Sequence, residues 1–188
     1  IKNRRGFMEQ AMEMNHVYKN RKAIILFADM DGLKQINDNY GHAAGDIAIC
    51  ACADILKKAA GEHGIAGRLG GDEFALMMIG DETRAIELME TVQKEIAMYN
   101  AQGKNKFVID MSVGCQIVLC TDELSIPMVL EKADKIMYEE KKIMFYLALV
   151  YSSPGHSFTC CIFYRCPGSI CQQYFHRMEN LRWKKILL

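Results

Sequence analysis

Apolar residues occur in continuous runs that alternate with helical stripes. Residues 23–28 form an uninterrupted apolar run of strand length, which is typical of a strand covered on both faces. Residues 65–69 and 74–79 are two further strand candidates, and residues 107–119 predict a long strand bent at Gly114. These runs predict a sheet that provides the centre of the domain.

The segments between the apolar runs show the periodicity of helices. Residues 7–20, 33–39 and 46–60 predict three helices, the last with apolar residues at four-residue spacing. A stripe from Ile86 to Ile96 marks a fourth helix, and Ser125 is placed to cap a fifth. Strands and helices therefore interleave, which predicts an α/β (α+β) domain with helices packed on a largely antiparallel sheet.

Two adjacent glycines separate the second and third strand candidates. A two-residue Gly-Gly connection at Gly70-Gly71 predicts a hairpin, because glycine adopts the positive φ of such a turn at low cost. The sequence contains neither GxGxxG nor GxxxxGK[ST]. Neither a Rossmann site nor a P-loop is therefore indicated.

Composition limits the size of the core and the classes of partner. The 188 residues, of which 51% are hydrophobic, are enough for one domain and an appendage. Formal net charge is zero, so no overall charge favours nucleic acid or a membrane surface. The segment 145–188 differs from the rest, with five basic residues against one acidic residue. We predict a domain over 1–144 and an atypical tail over 145–188.

The chain shows no signal peptide and no apolar run long enough for a membrane span, which predicts a cytoplasmic location. Four of its eight cysteines precede residue 145, and we interpret them as reduced core residues. The four tail cysteines, with His156 and His176, fit no standard zinc spacing. The abrupt change in composition predicts a tail foreign to the domain.

Two acidic clusters lie where apolar strands end. Asp29 and Asp31 follow the first run, and Asp72 and Glu73 follow the paired glycines. Each cluster alone is also ordinary turn chemistry. Together they would place several carboxylates at one end of a buried sheet, which costs several kcal/mol per uncompensated charge. A hard divalent cation such as Mg²⁺ resolves that conflict with oxygen ligands.

Residues 70–74 read GGDEF within the longer RLGGDEF. This stretch resembles the signature of the GGDEF family of diguanylate cyclases, and several other motifs of that family stand in the same order along the chain. Residues 29–46 resemble the family's DxDxxKxxND…GHxxGD motif, residues 133–141 its ADxxxYxxK helix, residues 112–114 its SxG strand, and residues 3–5 the end of its NRR motif. The resemblance covers residues 1 to about 144.

The resemblance implies a palm fold like that of the class III nucleotidyl cyclases, with about five strands in a mainly antiparallel sheet flanked by helices. It implies condensation of two GTP molecules into cyclic di-GMP plus two pyrophosphates. The implied cofactor is Mg²⁺, two ions per active site, with Mn²⁺ as an alternative. The implied partners are a second copy, since each domain holds one GTP, and an upstream sensory or regulatory domain of a larger protein. Nucleic acid is not implied.

The same resemblance assigns roles to individual positions. The expected metal ligands are Asp29, the Met30 carbonyl, Asp72 and Glu73. Asp72 is also the expected proton acceptor, with Glu73 as a second acidic participant. Lys34 is the third expected catalytic residue, which would neutralise phosphate charge that grows in the transition state. Positions expected to hold the substrate are Lys141 for phosphate charge, Asn37 and Asp46 for the guanine edge, His42 for the lining of that pocket, and Gly70 and Gly71 for close backbone approach. Asp31 is expected to hold the loop.

Two departures from the family pattern qualify the expected activity. Phe145 stands where the family has a phosphate-binding arginine, which predicts weakened GTP binding. The positions of the inhibitory RxxD motif read Gly61-Glu-His-Gly64, so we expect no primary product inhibition. A catalytically weak or inactive GTP-binding regulatory domain is the alternative function. A cyclase for another cyclic nucleotide is a third, which replacement of Asp46 would distinguish.

Overall fold

A computed structural model describes residues 1–150, with side chains through Glu139 and at Lys141 and Lys142. Residues Ile1–Met137 form one compact unit, and Tyr138 begins a second. The tail cysteines and histidines and the side chain of Phe145 lie outside the described residues.

Five strands and five helices follow one another in the described chain. In chain order they are β1 (Lys2–Asn3), α1 (Arg4–Val17), β2 (Lys22–Met30), α2 (Leu33–Tyr40), α3 (His42–Ala60), β3 (Ile65–Gly70), β4 (Glu73–Ile79), α4 (Glu82–Ala101), β5 (Met111–Leu119) and α5 (Ile126–Val150). All the predicted elements are present, in the predicted order. The two-residue β1 has no apolar signal and was missed.

The strands form one sheet in the order β1-β3-β4-β2-β5. All neighbouring pairs are antiparallel except β1 with β3. Strand β2 therefore lies inside the sheet between β4 and β5, as its continuous apolar run predicts. The predicted α+β class, with about five mainly antiparallel strands and flanking helices, is confirmed.

Both faces of the sheet are covered. On one face, Ile25 and Phe27 of β2 pack in a cluster with Phe7 of α1 and Leu130 of α5. The alternate β2 residues, including the fully buried Leu26, belong to the opposite face. Helices α3 and α4 contribute the remaining buried stripes, and α3 contacts both α4 and β3. No helix in the described part of the chain is long and apolar enough to cross a membrane.

Several predicted boundaries were wrong by a few residues, including those of α1, predicted as 7–20, and the start of α3, predicted at residue 46. Strand β5 begins at Met111 rather than at residue 107, because Asn100 binds both backbone groups of Ile109 and so takes that residue out of the ladder. The predicted bend at Gly114 stays a prediction, and the pairing of this residue with β2 continues without a register shift.

Gly114 permits a close approach of α5 to the sheet. A Cβ built there would overlap the carbonyl oxygen of Ala133 and lie 2.8 Å from the Met137 amide nitrogen. These are backbone atoms, so a larger residue would force the whole helix to move.

Gly114→Ala is therefore expected to destabilise the fold by about 1–3 kcal/mol, the usual cost of overpacking a core. Urea unfolding followed by circular dichroism measures this loss. Gln116→Ala, on the same face of β5 and half-buried, is the control and should change the free energy of unfolding much less. Equal stability of Gly114→Ala and wild type would contradict the close approach.

Candidate active site

Two carboxylates lie side by side at the end of β2. Asp29 pairs with Glu73 of β4, so both side chains project from one face of the sheet. The Met30 amide donates to the Asp72 carbonyl at 3.0 Å, which makes Asp29–Glu73 a non-hydrogen-bonded pair with Cα atoms about 4.5 Å apart. Like charges directly opposite each other destabilise a sheet, so a cation bound beside them would stabilise this end.

The turn that precedes Glu73 consists of Gly71 and Asp72, not of Gly70 and Gly71. Gly70 pairs with Glu73 after a register shift that begins at Arg68. Only the second glycine of the pair has positive φ, at 46°, and the Arg68 Nε atom donates to its carbonyl at 2.9 Å. The half-buried Asp72 is therefore held in a hairpin turn beside the strand-end carboxylates.

The predicted metal ligands fit Mg²⁺ as a set of oxygen donors. Among the described residues, the Asp72 amide does not donate to the Met30 carbonyl, and the use of that oxygen as a metal ligand stays a prediction. No three histidine, cysteine or acidic side chains are grouped for metal binding in the described part. Asp29, Asp72 and Glu73 are therefore not a preassembled cage. A site with few protein ligands, completed by phosphate and water, remains the arrangement that Mg²⁺ prefers.

The predicted guanine-binding residues lie on α2 and α3. Asn37 is half-buried in α2, and its carboxamide lies against the buried Gly45 of α3. Asp46 follows that glycine directly and is exposed, as is His42 one turn earlier on the same helix. The glycine contact thus brings the two helices together where Asn37 and Asp46 are expected to act.

The two predicted phosphate-binding lysines lie on different helices. Lys34 is exposed in the first turn of α2, shortly after the end of β2. Lys141 is half-buried in the part of α5 that follows Met137. Their contact with phosphate stays a prediction.

A hydrogen-bonded group beside the acidic pair was not assigned from the sequence. The Ser112 hydroxyl donates to the Asp31 carboxylate at 2.7 Å, and the Asp31 amide donates to the Asp110 carbonyl at 2.9 Å. These bonds confirm that Asp31 holds the loop. The SxG motif pointed to Ser112, but strand pairing was needed to identify its partner, because the two residues are far apart in sequence.

The cysteines near the sheet are not reactive groups. Burial, together with the charges of Asp110 and Asp31, raises the pKa of Cys52 to about 12. Burial raises the pKa of Cys115 to about 12 as well. The prediction of core cysteines holds for these two and for the buried Cys120, but it was wrong for Cys50, which is exposed on α3. A residue two positions from a buried helical residue falls on another face.

Comparison with known families decides the assignment. The family described as diguanylate cyclase, GGDEF domain, matches residues 1–145. The chain belongs to the GGDEF family. This GGDEF domain carries its signature residues at the β3–β4 hairpin.

Curated relatives agree with the family. An uncharacterized 19.3 kDa protein of Streptomyces ambofaciens is 34% identical over 129 residues, which cover 66% of this chain and 67% of that protein. Diguanylate cyclase A of Treponema denticola is 33% identical over 141 residues, which cover 69% of this chain and 37% of that enzyme. The chain thus spans little more than a third of that enzyme.

Solved structures share the fold of this GGDEF domain. The coiled coil and GGDEF domain of DgcB from Caulobacter crescentus, in complex with c-di-GMP, superposes with a TM-score of 0.63 at 22% identity. The match covers 74% of this chain and 76% of that one. At this identity the similarity shows the fold alone.

Proposed function

We propose that the chain is a diguanylate cyclase that condenses two GTP molecules into cyclic di-GMP and two pyrophosphates. The observation that carries the proposal is the placement of Asp29 opposite Glu73, beside the Gly71-Asp72 turn. This end of the sheet combines acidic oxygen donors with an exposed glycine turn, which allows a triphosphate to approach the backbone closely. The family and the named relatives support the same reaction.

Residues of α2 and α3 would bind the guanine base. The Asp46 carboxylate would accept hydrogen bonds from guanine N1–H and the exocyclic amine. Asn37, held against Gly45, would bind the same edge, and His42 would line the pocket. Lys34 and Lys141 would neutralise phosphate charge that grows in the transition state.

The reaction forms one phosphodiester bond at each of two steps. The 3′-oxygen of one GTP attacks the α-phosphorus of the other, and the bond from that phosphorus to the bridging oxygen of pyrophosphate breaks. Asp72 would accept the proton of the attacking hydroxyl, and Glu73 would be the second acidic participant. Asp29, the Met30 carbonyl, Asp72 and Glu73 would hold two Mg²⁺ ions. Such ions, when bound, stabilise the charge of attacking and leaving oxygens.

The second GTP requires a second copy of the domain, so activity should depend on protein concentration. Regulation by an upstream sensory domain and a cytoplasmic location, where GTP is available, belong to the same proposal. The test is incubation of the full chain with GTP and Mg²⁺, with chromatography of the products. Cyclic di-GMP, with specific activity rising as the protein is concentrated, is the expected result.

One observation favours a second candidate function. The family's phosphate-binding arginine is replaced by Phe145, which suits a regulatory domain that binds GTP without turnover. GTP binding with no cyclic di-GMP at any protein concentration would support this alternative and exclude the cyclase.

Phe145→Arg is expected to lower the KM for GTP about tenfold. A charge-assisted hydrogen bond contributes about 1.5–3 kcal/mol, and about 1.4 kcal/mol is a tenfold change in affinity. Steady-state kinetics of cyclic di-GMP formation measures the effect. Phe145→Leu is the control, because it removes the ring without adding a cation. An unchanged KM in the arginine variant would refute the predicted loss of a phosphate contact.

A further inference from the structure

Segment 107–110, which leads into β5, is attached to α4 through Asn100. The Asn100 carboxamide donates to the Ile109 carbonyl at 2.8 Å and accepts the Ile109 amide at 2.9 Å. One side chain thereby satisfies both backbone groups of a buried residue. Because two bonds restrict both the position and the orientation of this residue, the segment is fixed relative to α4.

The same segment contacts the chain at both ends of α2. Just before the helix, the Asp31 amide donates to the Asp110 carbonyl at 2.9 Å. At the last residue of the helix, the centroid of the Tyr40 ring lies 6.0 Å from that of the Phe107 ring, with 45° between the ring planes. Aromatic rings attract each other at this separation. Segment 107–110 therefore links α2 to α4 and β5.

Helix α2 is also held by other contacts. Among the described elements it packs chiefly against α3, its Ile36 side chain is buried, and its Asn37 carboxamide lies against Gly45 of α3. These contacts fix α2 relative to α3. The contact with Phe107 adds a link to a different part of the domain, so its loss should shift the position of α2 without releasing the helix.

The aromatic contact lies one helical turn from a proposed guanine-binding residue. Asn37 and Tyr40 are three residues apart in α2, so they are neighbours on the helix surface. The Gly41 amide, which follows Tyr40, donates to the Asn37 carbonyl at 2.8 Å and closes this turn. A displacement of Tyr40 is therefore passed to Asn37 through a single hydrogen-bonded turn.

We infer that Phe107 is a positioning residue, which holds α2 where Asn37 binds the guanine edge, and that Asn100 keeps the segment carrying Phe107 in place. The inference rests on the proposed function, because that function assigns Asn37 to the base. Phe107 itself contacts no nucleotide in this role. The base site thus depends on a segment outside the two helices that carry its polar residues.

The test measures binding of 3′-deoxy-GTP with Mg²⁺ to the full chain by calorimetry. This nucleotide lacks the attacking hydroxyl and cannot turn over. Phe107→Ala is expected to weaken binding about two- to tenfold, because loss of a contact lowers the population of the binding-competent position by no more than that contact stabilised it. Phe107→Tyr keeps the ring and should bind as wild type does.

A second variant tests whether the two rings act as a pair. Tyr40→Ala removes the other ring and should give the same loss of affinity. The double variant should then show no further loss, because residues that act through one shared contact are not additive. Additive losses would mean that the rings act separately and would overturn the inference. If Phe107→Ala does not fold, Tyr40→Ala decides alone.

Tyr18→Ala is the matched control. Tyr18 is an exposed aromatic residue that follows α1 and precedes the start of β2, whereas α2 follows the end of that strand. Its replacement should leave the affinity for 3′-deoxy-GTP unchanged. Thermal unfolding of each variant separates weaker binding from a lost fold. Wild-type affinity in folded Phe107→Ala would overturn the inference.

The outcomes distinguish this inference from the proposed function. If wild type binds 3′-deoxy-GTP and both ring variants bind it weakly, the positioning role is supported even where no cyclic di-GMP forms from GTP. Absence of cyclic di-GMP from wild type would then reject the cyclase alone. A wild-type chain that does not bind 3′-deoxy-GTP would reject both.

Discussion

Asp29→Asn is expected to lower kcat for cyclic di-GMP formation about 100- to 1000-fold, as removal of one electrostatic stabiliser does in other enzymes. Asp29 is the penultimate residue of β2, opposite Glu73 and on the same face of the sheet. Asparagine keeps the size of the side chain but removes the negative charge that a divalent cation requires.

The measurement is steady-state kinetics at saturating GTP and Mg²⁺, with thermal unfolding in parallel. Asp54→Asn is the control, since Asp54 is exposed on α3 and has no proposed role. Wild-type kcat in Asp29→Asn would remove this carboxylate from the mechanism. A comparable loss in Asp54→Asn would show that the effect is not specific to the strand end.

Gly45→Ala is expected to raise the KM for GTP about 5- to 150-fold, because a guanine group left unpaired by the displaced Asn37 costs about 1–3 kcal/mol. A Cβ at this position would overlap the Asn37 carboxamide oxygen and lie 3.0 Å from its carbon. The third neighbour, Leu33 Cδ1, lies 3.2 Å away, so the asparagine has to move. The variant thus displaces a proposed guanine contact without changing any acidic residue.

The matched control is Ala43→Ser, which adds one heavy atom at an exposed position two residues away in α3. Binding of a fluorescent GTP analogue, measured by anisotropy, should weaken in Gly45→Ala and stay at the wild-type level in the control. If both variants bind as wild type does, Asn37 is not part of the base site.

The elements could be predicted because each carries its own periodic signal. The run at 23–28 identified the central strand, since only a strand covered on both faces is apolar at every position. Its extension to Met30 was not visible, because Asp29 and Asp31 read as turn residues. Strand pairing keeps Asp29 in the ladder with β4 and β5, and Met30 in the ladder with β5.

Contacts between distant parts of the chain could not be predicted in the same way. Gly114 was interpreted as a bend, and its role in the approach of α5 to the sheet was not predicted. Gly70 was interpreted as a turn residue, yet it pairs with Glu73. The sequence shows only that the position is a glycine. The neighbouring residue that leaves no room for a side chain is known only from the fold.

In the candidate site, too, local features could be predicted from the sequence and contacts between distant residues could not. The acidic residues and their grouping at one end of the sheet could be predicted, because the motifs are local in sequence. The bond between Ser112 and Asp31 could not, since it joins residues 81 positions apart. The metal ligands and substrate contacts remain predictions, and the structure contributes the pairing of Asp29 with Glu73.

Anomalous scattering from Mn²⁺ in crystals of the chain with 3′-deoxy-GTP would locate the cation directly. We predict a peak at coordination distance from the Asp29 and Asp72 carboxylates and the Met30 carbonyl, next to the phosphates of the nucleotide. A peak bound only by phosphates, with those three oxygens beyond coordination distance, would contradict a shared metal at this end of the sheet.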